Sequence, residues 1–321
     1  MSKISIIVRC YNEEEHIGRL LAGISQQTER DVEIILVDSG STDATLSIAS
    51  RYPIKVIYVS PDEFSFGRAL NLGCKAACGE YLVFISAHCW PVYNDWLKQL
   101  TRPLSDPTVA LVYGKQRGSE KSQFSEHQIF TSWFPDHSNS NQGSPFCNNA
   151  NCAIRQDLWK ESPYNEELTG LEDLAWAKTA IDKGYHIAYS AEAEIVHVHT
   201  ETPHRIYNRY RREAIALKAI FPQEKFTLWD FISLSTMNII GDCIIAKKNR
   251  ILYKNIKDIL TFRLMQFWGA YRGNSQCKKV SADLKRVLYY PNNLKNVNNT
   301  SKKDNRGERI KYCSVSRLED R

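Results

Sequence analysis

Two adjacent carboxylates, Glu172 and Asp173, have the clearest potential for acid–base chemistry in this sequence. A positioned carboxylate can take the proton from a hydroxyl while that hydroxyl attacks an electrophilic carbon. The pair lies at the start of a segment that is predicted to be helical. Acidic residues in a first helical turn also interact favourably with the helix dipole. One position can serve both purposes, so the pair is a candidate for catalysis as well as for stabilising a helix.

Three histidines form a second group with chemical potential. His197 and His199 are two apart on a candidate strand, which places both on one face of it, and His88 follows an apolar run that ends at Ile85. Imidazole favours softer divalent ions such as Mn, Co or Zn over Mg. Histidines paired on a strand also serve for packing or hydrogen bonding, and their spacing is compatible with either use.

These candidates follow the strands of a predicted α/β sheet. Apolar runs at 3–9, 32–37, 55–59 and 81–85 alternate with helical patterns. Strands that are apolar on both faces are typical of a mostly parallel sheet covered by helices on both sides. Such sheets bind ligands beyond the carboxyl ends of their strands. The polar residues to consider are therefore 9–13, Asp38 and 86–88. Further strands are predicted at 110–114, 152–154, 187–189 and 194–199.

Four segments, taken in chain order, resemble family 2 glycosyltransferases of the GT-A fold. Residues 6–14 (IIVRCYNEE) are similar to the opening of that family, and residues 37–43 (VDSGSTD) to its V-D-[DS]-G-S-x-D segment. Residues 67–81 resemble its N-x-G…A-x-G-E-Y segment, and Glu172-Asp173 its E-D motif. Each motif alone is weak, but four in the expected order are a strong signal over roughly residues 3–215. The resemblance implies a GT-A, Rossmann-like α/β domain.

The resemblance also implies roles for individual residues. Asp38 would accept a hydrogen bond from the nucleobase, with Tyr11 against the nucleoside, although Asp38 also suits a turn. Asp173 would be the general base of an inverting transfer, and Glu172 would bind acceptor hydroxyls or raise the basicity of its neighbour. Trp176, on nearly the same helix face as Asp173, is expected either to stack on an acceptor sugar or to lie in the core. The residues expected to bind the nucleotide sugar are Arg9, Tyr11, Glu13, Asp38, Arg68, Asn71, Ser86 and His88.

The run Ser86-Ala87-His88 departs from the family, which usually has an Asp-x-Asp motif here that holds a divalent cation against the diphosphate. Serine cannot replace a carboxylate as a strong ligand for a hard cation. In one hypothesis, His88 binds a divalent metal (Mn or Mg) together with His197 or His199. In the other, protein cations neutralise the diphosphate without a metal, namely Arg68, His88 and the basic run at 205–212.

The motifs predict inverting transfer of a sugar from a UDP-, dTDP- or GDP-linked donor to a glycan or a lipid-linked acceptor. Residues 207–213 and 267–273 resemble the C-terminal region of bacterial surface-polysaccharide enzymes, and residues 196–199 resemble rhamnosyltransferase-like members. A nucleotidyltransferase is one alternative, but residues 9–13 lack its Gly-rich phosphate loop and its lysine. A non-catalytic sugar- or nucleotide-binding partner is another; it fits Ser86 but not the retained Glu172-Asp173 pair.

Charge separates the two parts of the chain. The net charge is +6, yet residues 201–321 hold 25 Lys and Arg against 11 Asp and Glu. A part this basic favours an anionic partner, either a membrane surface or phosphates, or is a solvated face. No nucleic-acid-binding module is recognisable, so we expect no nucleic-acid partner.

We expect a GT-A domain over 1–220, a basic amphipathic helical region over 221–290 and a disordered tail over 291–321. The apolar run 231–246 is shorter than the about 20 residues that cross a bilayer. We therefore expect no transmembrane segment, and either a helix lying on a membrane or one packed on the catalytic domain.

Two further features suggest the compartment. The nine cysteines contain no Cys-x-x-Cys pair, and the chain opens without a signal-peptide pattern. Both favour the reducing cytoplasm, with peripheral attachment to the inner face of the membrane as a further expectation.

Overall fold

A computed structural model describes residues 3–199, 201–223, 225–275 and 307–312. Its strands are β1 (Ile4–Cys10), β2 (Val32–Asp38), β3 (Ile54–Tyr58), β4 (Tyr81–Ser86), β5 (Cys89–Pro91), β6 (Val109–Gly118), β7 (Asn139–Gln142), β8 (Asn151–Arg155) and β9 (His186–His197). Its helices are α1 (Ile17–Ser25), α2 (Thr45–Ala49), α3 (Phe66–Ala76), α4 (Trp96–Thr101), α5 (Phe124–Trp133), α6 (Gln156–Glu161), α7 (Glu172–Asp182), α8 (Pro203–Ile220), α9 (Leu228–Lys248) and α10 (Leu252–Ser275).

All the strands belong to one mixed sheet in the order β3-β2-β1-β4-β8-β6-β9-β5, with β7 paired to β9. The first four strands are mutually parallel, and β8 lies antiparallel between β4 and β6. Since β6 is parallel to β9, strands β4, β6 and β9 all point the same way. Their carboxyl ends therefore meet at the edge where β1 and β2 also end. The mostly parallel α/β sheet with a C-terminal helical appendage agrees with the prediction.

Burial on both faces explains why the parallel strands are almost continuously apolar. On one face, Ile7, Ile35 and Val37 share a core with α3 and α7; on the other, Ile6 and Val8 pack with α1. Alternate residues of a strand point to opposite faces, so a strand covered on both sides has no exposed row to carry polar residues.

Three strands differ from their prediction, and one of them, the short strand β5, was not predicted. The runs expected at 187–189 and 194–199 form the single strand β9, and His199 lies just beyond its end. The strand β7 was not predicted, because its sequence, Asn-Ser-Asn-Gln, contains no apolar residue and three of its four residues are exposed.

A buried ion pair joins the two C-terminal helices to each other, and a hydrogen bond links it to α5. Arg263 of α10 is 1% exposed and donates to both carboxylate oxygens of Asp242 in α9, at 2.8 and 3.0 Å. Ser125 at the start of α5 also donates to Asp242, at 2.6 Å. Three helices therefore meet at one buried carboxylate.

Breaking this pair is expected to lower stability strongly. In Arg263→Ala, Asp242 becomes a buried charge without its cation, which costs about 3–5 kcal/mol in the free energy of unfolding. Denaturant titration followed by circular dichroism measures this change. The control is Arg250→Ala in the exposed turn after α9, which should change it by less than about 0.5 kcal/mol. Equal stability of the two variants would refute the role of the pair.

Two features of the C-terminal part go beyond what the sequence predicted. Helix α9 extends beyond the apolar run at 231–246, and within the described ranges it alone is long and apolar enough to cross a membrane when judged by length and composition. Residues 307–312 of the expected disordered tail lie against the sheet domain, since Arg309 pairs with Tyr93 and Ile310 N donates to Val92 O at 2.9 Å. The rest of that tail, 291–306 and 313–321, is outside the described residues.

Candidate active site

A cluster of His88, His197 and His199 lies at the carboxyl edge of the sheet. Strand β5, which begins directly after His88, pairs antiparallel with β9 and places Cys89 opposite His197. The Nε2 atoms of His88 and His197 are 3.1 Å apart, and the candidate ligand atoms of the three histidines all lie within 4.8 Å of one another. The sequence predicted His88 with one of the other two, and the structure brings all three together.

Each histidine has a hydrogen-bond partner on its other ring nitrogen. Glu13 Oε1 lies 2.7 Å from His88 Nδ1, Gln116 Oε1 2.7 Å from His197 Nδ1, and Glu126 Oε1 2.7 Å from His199 Nδ1. Oxygen acceptors on Nδ1 fix the proton there and leave the Nε2 lone pair available for a metal. Gln116 and Glu126 were not among the predicted site residues. They lie on β6 and α5, and no local pattern marks them.

The cluster fits a divalent cation of borderline softness. Burial, reinforced by neighbouring positive groups, holds the pKa values of His197 and His199 well below the usual range, so both rings are neutral near pH 7. The Nε2 atoms of His88 and His197 face each other at 3.1 Å, so either a proton on one of them or a cation bound by both satisfies the pair. An all-imidazole set suits Zn, Fe or Co better than Mg.

Asp38 and Tyr11 lie side by side at the ends of β2 and β1. The Asp38 carboxylate is 1% exposed and accepts from Gly40 N and Ser41 N, each at 3.0 Å. Gly40 has φ +93°, a conformation that glycine adopts without steric cost. The turn role of Asp38 is therefore established, and a nucleobase contact stays a prediction. Tyr11 beside it is 57% exposed, with its ring available to a ligand.

Glu172 and Asp173 occupy the first turn of α7 and are both buried. Asp173 accepts from Asn149 N at 2.9 Å and from Leu174 N at 2.8 Å. Burial, and then the neighbouring Glu172 charge, raise the pKa of Asp173 to about 7. The preceding Leu171 has φ +55°, a rare conformation for leucine of the kind that concentrates at functional sites.

Arg9 connects this carboxylate pair to the edge of the sheet that carries the histidines. Its Nη1 lies 3.1 Å from Glu172 Oε1, while its carbonyl accepts from Ala87 N at 3.2 Å, one residue before His88. Arg9 and Arg212 each lie over the ring of Phe66, at 4.9 and 4.7 Å from its centroid. Two guanidinium groups therefore lie over one aromatic ring, and that of Arg9 also pairs with Glu172.

Comparison with known proteins identifies the family that this chain resembles. Residues 5–161 match the model of glycosyl transferase family 2. The chain is 29% identical over 221 residues to the O-antigen chain rhamnosyltransferase RfbN of Salmonella typhimurium, covering 65% of this chain and 70% of that protein. It is 27% identical over 230 residues to WbaN of Salmonella anatum, another O-antigen chain rhamnosyltransferase, with the same coverage. Residues 5–161 belong to glycosyl transferase family 2.

A solved structure agrees with the fold of this glycosyltransferase. The mannosyltransferase PcManGT from Pyrobaculum calidifontis, in complex with GDP-Man and Mn²⁺, superimposes with a TM-score of 0.57. The match is 20% identical and covers 84% of this chain and 86% of that one. At this identity the likeness supports the GT-A fold.

Three predicted site residues of the glycosyltransferase have structural partners within the fold, and their contacts with a ligand stay predictions. Arg68 pairs with Glu63 at 2.9 Å and Glu166 at 3.5 Å, so its charge is already compensated. Asn71 is buried, and its amide bonds to Trp159, Tyr164 and Glu166. Trp176 is core: it is 5% exposed and donates to Ser162 O at 2.7 Å.

The remaining predicted residue, Ser86, occupies the end of β4 directly opposite Arg9 in the register. Its position matches that of the missing first carboxylate of the family motif. Glu13, by contrast, has a definite role, because it fixes the ring of His88.

Proposed function

We propose that this glycosyltransferase is an inverting enzyme that moves a sugar from a nucleotide donor to a hydroxyl of a glycan or lipid-linked acceptor in surface polysaccharide synthesis. The observation that carries the proposal is the buried Asp173, whose pKa of about 7 suits a general base at neutral pH. Arg9 joins its neighbour Glu172 to the strand end that leads to His88. A base and a cation-binding cluster therefore flank one edge of the sheet, where α/β domains bind ligands.

In the proposed reaction, Asp173 takes the proton of the acceptor hydroxyl as its oxygen attacks the anomeric carbon. The nucleoside diphosphate leaves with the electron pair of the bond that breaks, and the configuration at the anomeric carbon inverts. Glu172 stays paired with Arg9 and holds the negative charge that keeps Asp173 basic. Tyr11 and the loop after Asp38 receive the nucleoside.

The cofactor we propose is a divalent metal held by His88, His197 and His199. When bound, it supplies positive charge for the diphosphate leaving group. The metal-free alternative needs protein cations, but Arg68 is paired with Glu63 and Glu166, and Arg209 with Glu126 and Glu201. The distribution of charge therefore favours the metal.

The donor we propose is a nucleotide-linked deoxyhexose, because two relatives are named rhamnosyltransferases. A ligand that binds only the folded state raises the melting temperature. A thermal-shift panel of UDP-, dTDP- and GDP-sugars, each with and without Mn²⁺, therefore tests which nucleobase the donor carries and whether its binding depends on the metal. If none of these donors raised the melting temperature, the proposal would be refuted. A lipid-linked acceptor would place the enzyme in the cytoplasm, at the inner face of the membrane.

The pH dependence of turnover follows from Asp173. A base must be deprotonated, so kcat/KM should rise as pH increases through about 7 and level off above it. In Glu172→Gln the charge that raises this pKa is lost, and the midpoint should move to lower pH. Initial rates from pH about 5.5 to about 9 measure both curves. A flat profile across neutrality in the wild type would contradict the assignment.

A non-catalytic sugar-binding protein is the second candidate, favoured only by Ser86 at the position of the family's carboxylate. A donor-hydrolysis assay separates the two. Release of nucleoside diphosphate at a rate that depends on Asp173 supports the enzyme, whereas stable donor binding without release supports the binding protein.

A further inference from the structure

An exposed apolar row runs along helix α9. Trp229 and Ile232 are 73% and 45% exposed, and Ile240 and Ile244 further along are 52% and 62% exposed. These positions recur every three or four residues, apart from a step across Thr236, so they lie on one helix face. At a rise of about 1.5 Å per residue, the row from Trp229 to Ile244 is about 22 Å long.

Helix α10 carries a second exposed apolar row. It packs antiparallel to α9, since Phe231 lies 5.4 Å from Trp268 between ring centroids and Asp242 bonds to Arg263. Its own exposed apolar residues, Tyr253, Leu260 and Leu264, are also spaced for one face. We call the two rows together the hairpin face; its apolar members are Trp229, Ile232, Ile240, Ile244, Tyr253, Leu260 and Leu264.

The end of the hairpin face at the turn between the helices is strongly basic. Five cations, all exposed, surround it: Lys247, Lys248, Arg250, Lys254 and Lys257. Asp258 is the one exposed acidic residue in the same stretch, 244–264. The apolar row can contact an apolar interior while the cations contact anionic head groups, so the two together complement a surface of that kind.

We propose that the hairpin face docks on an anionic lipid bilayer, with the α9–α10 hairpin lying in the interface. The proposal deepens the proposed function, because a lipid-linked acceptor would be presented at that surface. Trp229 and Tyr253 stand at opposite ends of the hairpin, and both residue types favour the boundary between head groups and acyl chains. The basic turn supplies the electrostatic attraction.

The opposite side of α9 argues against a helix that crosses the membrane. Asp242 on that side is held by Arg263 of α10 and Ser125 of α5, and Leu234 packs in the core with Phe267. If α9 crossed the membrane, Asp242 would lose these partners, or Arg263 would lie in the hydrocarbon core of the bilayer. An interfacial position leaves all of these contacts in place.

Co-sedimentation of the full chain with vesicles, in the absence of any donor, tests the proposal. We expect binding to vesicles that contain phosphatidylglycerol, and about tenfold weaker binding to phosphatidylcholine alone or in high salt. The double variant Ile240→Ser with Ile244→Ser should weaken binding by at least about tenfold, because two apolar side chains leave the interface. Lys247→Gln with Lys248→Gln should weaken it by about tenfold on anionic vesicles only.

Matched controls distinguish an effect of the hairpin face from an effect of net charge and from an effect on catalysis. Lys75→Gln with Lys98→Gln removes two exposed charges elsewhere on the fold and should bind vesicles like the wild type. Asp173→Asn should also bind normally, so that loss of the proposed function and loss of docking are distinguishable. Unchanged vesicle binding in the Ile240/Ile244 variant would overturn the proposal.

Two other outcomes would overturn it in favour of a different occupant. Resistance of the membrane-bound chain to alkaline carbonate extraction would show a spanning helix. A wild type that is dimeric by sedimentation velocity and does not bind vesicles, together with a monomeric Ile240/Ile244 variant, would assign the face to a second copy of the chain.

Discussion

Asp173→Asn is expected to reduce kcat for sugar transfer by about 10³-fold while the affinity for the donor stays unchanged. Removal of a general base typically costs 10²- to 10⁴-fold. The amide cannot accept the proton of the acceptor hydroxyl at any pH, so the rate that remains should also lose its rise through neutrality. Initial rates with saturating donor measure kcat, and calorimetric titration with the donor measures affinity.

The matched control is Asp182→Asn at the last turn of the same helix. Asp182 is exposed and pairs only with Lys178 one turn earlier, so its loss should leave turnover within about twofold of the wild type. Circular dichroism checks the fold of both variants, because the Asn149 and Leu174 amides donate to Asp173 in the native state. Turnover of a folded Asp173→Asn protein close to that of the wild type would assign the base to another residue.

Strand order was predictable only in part. The first four strands were recognised because runs such as 32–37 are mostly apolar, as expected of strands that are covered on both faces. The antiparallel insertion of β8 between β4 and β6 was not, since its direction depends on pairing across the sheet. The sequence of β8, 151–155, is compatible with either direction.

The residues of the candidate site were also predictable only in part. His88 and His197 were predictable because strand ends of one sheet meet at one edge. Gln116 and Glu126 were not, because each reaches its histidine only through packing of β6 and α5 against β9. Asn71 shows that a motif position can also serve the fold, because its amide bonds to the 159–166 segment; its contact with the donor stays a prediction.

His197→Ala is expected to remove the bound metal and, with it, most of the turnover. His197 is the most buried of the three, and its Nε2 faces that of His88, so the variant leaves no pair of facing ligands. We expect about one divalent ion per wild-type chain after purification, and about 100-fold weaker metal binding in the variant. Elemental analysis of the dialysed protein measures metal content without reference to activity.

The variant Gln116→Ala tests whether His197 is a metal ligand or only a packing residue. The glutamine lies behind His197, on the ring nitrogen opposite the cluster, so it cannot bind the metal itself. Loss of a hydrogen bond to a ligand typically costs 10- to 100-fold in metal affinity. A packing histidine would show no such metal dependence. His137→Ala, an exposed histidine outside the cluster, is the control and should keep wild-type metal content.

Chelation decides between the two ways of handling the diphosphate. If the cluster holds the cation, exhaustive dialysis against EDTA should abolish transfer, and adding Mn²⁺, Co²⁺ or Zn²⁺ should restore it more effectively than Mg²⁺. Undiminished turnover of a protein shown to be metal-free would refute the metal site. The charge of the leaving group would then fall to protein cations such as Arg212, which lies over the ring of Phe66, since Arg9, Arg68 and Arg209 are already paired with carboxylates.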